Sequence, residues 1–205
     1  MKIIHHDLCP IVNKIKTLIH IHNSVAHNIQ CNLLYESIGP INLMNGNSYL
    51  PYLENEDHYI FDINAIYIFL NDIYKISLIQ DCLNNYRINL LESLLDKYFF
   101  IEVYKNLNKS NGVSESLLIK LTEYIQRFNE IIKNKQWIQD KFSINDITLF
   151  SYLASLDYLQ LINWNIYNNL KSYYRRLKSH NIFYLIIEQN LKLCHSPIHY
   201  NIIDF

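Results

Sequence analysis

The sequence predicts a mixed α/β unit at the N-terminus followed by an all-helical unit. Three observations predict it. A short apolar strand candidate, Lys2-Ile3-Ile4-His5, runs into Cys9-Pro10 and then into a helix-spaced apolar series, Ile11, Ile15, Leu18 and Ile19. Short strand and helix patterns alternate up to about residue 74, and only helical patterns follow from Arg87 onward. Three glycines and four prolines in 205 residues are too few for an all-β sandwich of tight hairpins. The expected division is residues 1–74 for the mixed unit, 75–86 for a linker and 87–205 for the helical unit.

Composition sets the outer bounds. Half the residues are hydrophobic and 18% are charged, so the chain can bury a core and is not disordered as a whole. Eighteen basic and 19 acidic residues give a net charge of −1, without the basic field that nucleic acid attracts. No apolar run reaches the ~20 residues of a membrane helix, and the start lacks a signal-peptide pattern. A cytoplasmic protein without membrane or nucleic-acid partners is the expectation, and a monomer. Cys9, Cys31, Cys82 and Cys194 are widely spaced and show no metal pattern, so no metal is expected. In a reducing compartment they read as free or catalytic thiols.

The elements follow in order. Pro10 suits the first helical position, where its missing N–H costs nothing. Cys9 then sits at a strand-to-helix junction. Unpaired N–H groups and the helix dipole favour an anion there and lower a thiol's pKa. Cys9 is therefore a candidate reactive thiolate, with a buried inert cysteine as the plainer alternative. Val25 to Leu34 is apolar and β-branched and suits a second strand. Tyr35 to Asn47, with Gly39-Pro40 and Gly46, reads as a loop with a short helix. Ser48 to Leu53 reads as a third strand, awkward around Pro51, and Tyr59-Ile60-Phe61 as a fourth. Asp62 can cap a helix whose stripe is Ile63, Ile66, Phe69 and Leu70.

In the second half, Leu90, Leu91, Leu94, Leu95, Tyr98 and Phe99 form one apolar face, and Leu117 to Trp137 a second amphipathic segment. Ser143 and Asp146 have capping-box spacing at the start of a helix expected to be largely buried. Asn165 to Leu177 and Asn181 to Leu193 read as two more helices. Tyr173, Tyr174, Arg175 and Arg176 read as a solvated basic aromatic face. His20 and His22 lie on different helix faces, which argues against a shared metal site. Cys31, on the expected second strand, reads as a buried inert thiol.

These motifs resemble a family. A thioredoxin-like half with Cys-Pro at its first helix, followed by a helical half with a buried capping box, resembles the glutathione S-transferase fold. Asp7-Leu8-Cys9-Pro10, Leu50-Pro51-Tyr52-Leu53, Ser143 to Phe150 and Ile162-Asn163-Trp164 are similar to motifs of the bacterial glutaredoxin 2 family. The resemblance implies glutathione as co-substrate and a glutathionylated or disulfide substrate. It implies Cys9 as nucleophile and Pro10 as the start of its helix. Glutathione would be held by Ile11, Leu50, Pro51, Phe61 and Asp62, with a cis bond before Pro51 freeing the Leu50 backbone. The family's Cys-Pro-Tyr-Cys reads Cys9-Pro10-Ile11-Val12 here, so a second active-site thiol is missing and only a monothiol route remains. The family's Glu-Ser pair is replaced by Phe61-Asp62, which weakens the expected grip on the γ-glutamyl end. A cysteine-type glutathione S-transferase and a non-catalytic interaction module of the same fold are the alternatives.

Overall fold

The computed structural model describes residues 1–5, 8–25, 31–37, 51–56, 58–103, 106 and 114–187. The elements begin with β1 (Lys2–His5), α1 (Pro10–Val25), β2 (Leu34–Ser37), β3 (Tyr52–Asn55) and β4 (His58–Ile60). Helices follow: α2 (Ile63–Tyr74), α3 (Ser77–Asn84) and α4 (Tyr86–Ser93), which runs on through a π turn (Leu94–Phe99) into α5 (Phe100–Glu102). Then come α6 (Glu115–Ile131), α7 (Ile144–Tyr158), α8 (Asn168–Lys178), a 3₁₀ turn (Asn181–Phe183) and α9 (Tyr184–Ile187).

The four strands form one sheet in the order β2-β1-β3-β4. β1 pairs parallel with β2 and antiparallel with β3, and β4 pairs antiparallel with β3. Ile3 is opposite Tyr35 on one side and Leu53 on the other, and Leu53 is opposite Ile60. Side chains alternate along a strand, so these residues share one face. Ile3 and Leu53 are buried in the same core as Ile15 and Leu18 of α1 and Ile66 and Leu70 of α2. The mixed first unit and the helical second unit are both as expected, and one continuous core runs through them.

Local boundaries differ from the sequence reading where side chains, not periodicity, decide. α1 runs to Val25, and the second strand starts only at Leu34. Asn23 brackets the backbone of Cys31, with Nδ2 donating to its carbonyl at 2.9 Å and Oδ1 accepting from its N–H at 2.8 Å. That clamp gives 31–33 a non-strand course. The third strand begins after Pro51, whose ring cannot donate to the ladder. The stretch 75–86 is no bare connector, since α3 buries Ile79 and Cys82 in the core.

The helix following Arg87 turns a different face inward than its leucines suggest. Leu90 is 70% and Tyr98 58% exposed, whereas Ile88, Glu92, Leu95, Asp96 and Phe99 are buried. Most of the expected Tyr35 to Asn47 loop with its short helix, and the chain beyond 187, which includes Cys194, lie outside the described residues.

α7 is the central strut. All 15 of its residues are buried, and it packs along α1. Its start is the capping box read from sequence: the Ser143 N–H donates to Asp146 Oδ2 at 2.9 Å. Tyr173 of α8 donates its hydroxyl to the other Asp146 oxygen at 2.6 Å. Tyr174 donates to Asp157 at 3.1 Å, and Trp164 donates to Asp157 at 2.7 Å while stacking on the Tyr174 ring. Tyr173 and Tyr174 are therefore core residues and not part of a solvated face. Their hydroxyls satisfy two buried carboxylates.

Candidate active site around Cys9

Cys9 stands between β1 and α1, and its carbonyl accepts the first helical hydrogen bond, from the Asn13 N–H, at 3.0 Å. Pro10 occupies the first turn of α1 as expected. Leu8 sits just before it at φ 59°, in the left-handed region that costs a non-glycine residue energy. A partner helix holds it there. Ser155 of α7 donates its hydroxyl to the Leu8 carbonyl at 2.8 Å, and the Leu8 side chain packs on Tyr158.

The thiol faces the donors that the helix start provides, yet the expected thiolate does not follow. Cys9 is 1% exposed, and burial pushes its pKa up to about 12. The backbone N–H groups of Val12 and Ile11 and the Lys16 ammonium favour the anion, but these effects are smaller than the loss of solvent. Asp96 adds a repulsive negative charge. The expectation of a lowered pKa is thus corrected: the dipole argument treats a helix end facing water, and here α7 covers it. Ile11 and Val12 have buried side chains, so what they offer the site is their N–H groups.

The other expected site residues divide into three groups. Leu50 lies outside the described residues, as do His6, Asp7 and His27. Pro51 is buried where the chain bends into β3. Phe61 and Asp62 lead into α2. Phe61 is 51% exposed and joins an aromatic cluster with Tyr52 and Tyr59, at ring-centre distances of 5.3 and 6.5 Å. Asp62 caps α2, accepting from the Ala65 N–H at 3.0 Å. Cys31 and Cys82 are buried free thiols, both pushed up by burial. Among the described residues no three histidine, cysteine or acidic side chains gather as a metal site.

A buried ionic cluster next to Cys9 was missed by the sequence reading. Lys14, on the second turn of α1, is completely buried between Glu92 and Asp96. Its Nζ donates to Glu92 Oε2 at 2.9 Å and contacts Asp96 Oδ2. Glu92 also accepts from Asn145 at 2.7 Å and from Thr148 at 2.8 Å, and Asp96 accepts from Tyr152 at 3.2 Å and Tyr67 at 3.4 Å. One ammonium faces two carboxylates. Burial and the neighbouring Glu92 accordingly raise the Asp96 pKa to about 6 despite Lys14. Tyr152 and Asp96 both feel the charge of Cys9 or act on it. The readable signal was three charged residues on apolar faces: Lys14 between Ile11 and Leu18, and Glu92 and Asp96 one turn apart beside Leu95.

No protein-family model and no curated protein matches the chain. Solved structures do. A glutathione S-transferase from Rhodospirillum rubrum matches with a TM-score of 0.70 at 20% identity, over 100% of this chain and 99% of that one. One from Sinorhizobium meliloti matches with a TM-score of 0.74 at 17% identity, again over 100% and 99%. A third, from Methylobacterium radiotolerans and in complex with glutathione sulfonate, matches with a TM-score of 0.62 at 13% identity over 96% and 99%. The chain has the glutathione S-transferase fold. Cys9 precedes α1, Pro51 precedes β3, and Phe61 and Asp62 precede α2, while the Lys14 cluster fastens α1 to α4, the π turn and α7.

Proposed function

We propose that the chain is a glutathione-dependent thiol–disulfide oxidoreductase of the glutaredoxin 2 type, working by a monothiol route through Cys9. The observation that carries this reading is the place of Cys9 directly before Pro10 at the start of α1, where the N–H groups of Ile11 and Val12 favour a sulfur anion. They stabilise a sulfur anion, whichever group displaces the proton. Val12 stands where a second active-site thiol would be, so the mixed disulfide has no internal competitor within the motif.

The exchange runs in two balanced steps. The Cys9 thiolate attacks the glutathione sulfur of a glutathionylated substrate. That sulfur–sulfur bond breaks, and the substrate sulfur leaves and takes up a proton. A glutathione thiolate then attacks the Cys9–glutathione disulfide, releasing oxidised glutathione and regenerating Cys9. One free glutathione is the reductant, and the other half of the oxidised glutathione comes from the substrate. In this reading Pro51 and the backbone beside it would meet the cysteinyl part, and Phe61 and Asp62 the γ-glutamyl end. The Asp62 carboxylate can accept from the glutathione ammonium while still capping α2.

Cys9 must become accessible for this chemistry. Its burial is the specific observation favouring the second reading, a glutathione S-transferase-fold interaction module with an inert Cys9. Glutathione-dependent reduction of a glutathionylated peptide, coupled to glutathione reductase, separates the two. The oxidoreductase turns over and Cys9→Ser does not. No turnover by the natural chain, with its fold confirmed by circular dichroism, favours the module.

A further inference from the structure

The far end of α1 carries a feature that the Cys9 chemistry does not use. A cavity of about 560 Å³ opens between the last turns of α1 and the edge strand β2. Lys16, Ile19 and His20 of α1 form one wall, and Leu33, Leu34 and Tyr35 the other. Its size falls within the usual range of small-molecule sites. The wall residues lie seven or more positions beyond Cys9 on the helix, which places the cavity roughly 10–20 Å along the axis from the thiol.

Two properties define what would fit. The first is charge: Lys16 brings an ammonium and His20 an imidazole, and among the described residues lining the cavity none is acidic. Lys16 Nζ rests 4.9 Å from the centre of the Tyr35 ring, which holds a cation over an aromatic floor. The second is the contrast between an apolar lining and an unpartnered hydroxyl on one of its residues. Ile19, Leu33 and Leu34 are apolar, while the Tyr35 hydroxyl is buried with no hydrogen-bond partner. A buried phenol without a partner is unfavourable, and a polar atom of a ligand or an accompanying water relieves it. The wall is held firm by Asn23, whose amide is committed to the Cys31 backbone.

We propose that this cavity is a second binding site, separate from the Cys9 site, for a small organic anion with a flat apolar body, such as an aryl carboxylate. The carboxylate meets Lys16 and His20, and the ring lies on Ile19, Leu33 and Tyr35.

Calorimetric titration of the natural chain with 2-naphthoate tests it. The expected result is one saturable site of sub-millimolar affinity, at least tenfold weaker in Lys16→Gln. Leu34→Glu places a carboxylate at the cavity mouth, on an exposed position that does not threaten the fold, and weakens binding by a similar factor. Excess glutathione leaves the titration unchanged, and so does Cys9→Ser, which keeps this result independent of the oxidoreductase reading. Absence of saturable binding overturns the proposal. So does displacement by glutathione, equal affinity for the neutral 2-naphthamide, or unchanged affinity in either cavity variant.

Discussion

Lys14 of α1 and Asp96 of the π turn meet as a fully buried ion pair, joined by Glu92 on the other side of the ammonium. The cluster ties the helix that begins at Cys9 to the helical half of the molecule. Removing one member leaves the others charged and unpaired in a place water does not reach. Lys14→Met is therefore expected to destabilise the fold by about 3–5 kcal/mol. Denaturant unfolding of the variant beside the natural chain checks this. A loss below about 1 kcal/mol would mean that Lys14 does not compensate the two buried carboxylates.

The same cluster gives stability a pH dependence of known sign. The Asp96 pKa is raised from its ordinary 3.8 to about 6 in the folded chain. Between those values the folded state holds a proton that the unfolded state has released. This contribution is fully present below the ordinary value and lost as pH rises through about 6. The difference in urea midpoint between the natural chain and Asp96→Asn should change across pH 4 to 7. A constant difference would show that Asp96 does not titrate in that window.

The backbone next to the buried Cys9 is tied to α7 by the bond from Ser155 to the Leu8 carbonyl. A hydrogen bond of this kind contributes about 1 kcal/mol, so Ser155→Ala should speed alkylation of Cys9 by iodoacetamide about fivefold. Mass spectrometry of the Cys9 peptide against time measures the rate. An unchanged rate would place the barrier to access elsewhere.

Asp62 has two separable roles. Asp62→Ala should lower stability by about 1 kcal/mol through loss of the cap on α2, whereas Asp62→Asn retains a capping oxygen. If the carboxylate also meets the glutathione ammonium, Asp62→Asn weakens glutathione binding by calorimetry while leaving the unfolding midpoint in place. Equal glutathione affinity in the natural chain and Asp62→Asn would reduce Asp62 to a cap.

What could be read from the sequence was what neighbours in the chain decide. Pro10 opening α1, Asp62 capping α2 and the Ser143–Asp146 box each depend on residues within one turn, and each is in place. The mixed first unit and helical second unit also followed from local periodicity. The Lys14 pairs with Glu92 and Asp96 span 78 and 82 positions, and no local pattern encodes which carboxylates meet which ammonium. Cys9 was recognised by its place at a helix start, but its acidity was not, because that depends on α7. The covering contact from Ser155 to Leu8 bridges 147 positions. Tyr173 and Tyr174 failed in the same way: two arginines beside them suggested a wet surface, while distant Asp146 and Asp157 drew their hydroxyls inward.

The most direct measurement is the intact mass of the chain after exposure to oxidised glutathione, followed by peptide mapping. The account predicts one glutathione adduct, on Cys9, absent in Cys9→Ser and removed by reduced glutathione. An unmodified chain, or an adduct that maps to Cys31 or Cys82 with Cys9 untouched, would contradict it.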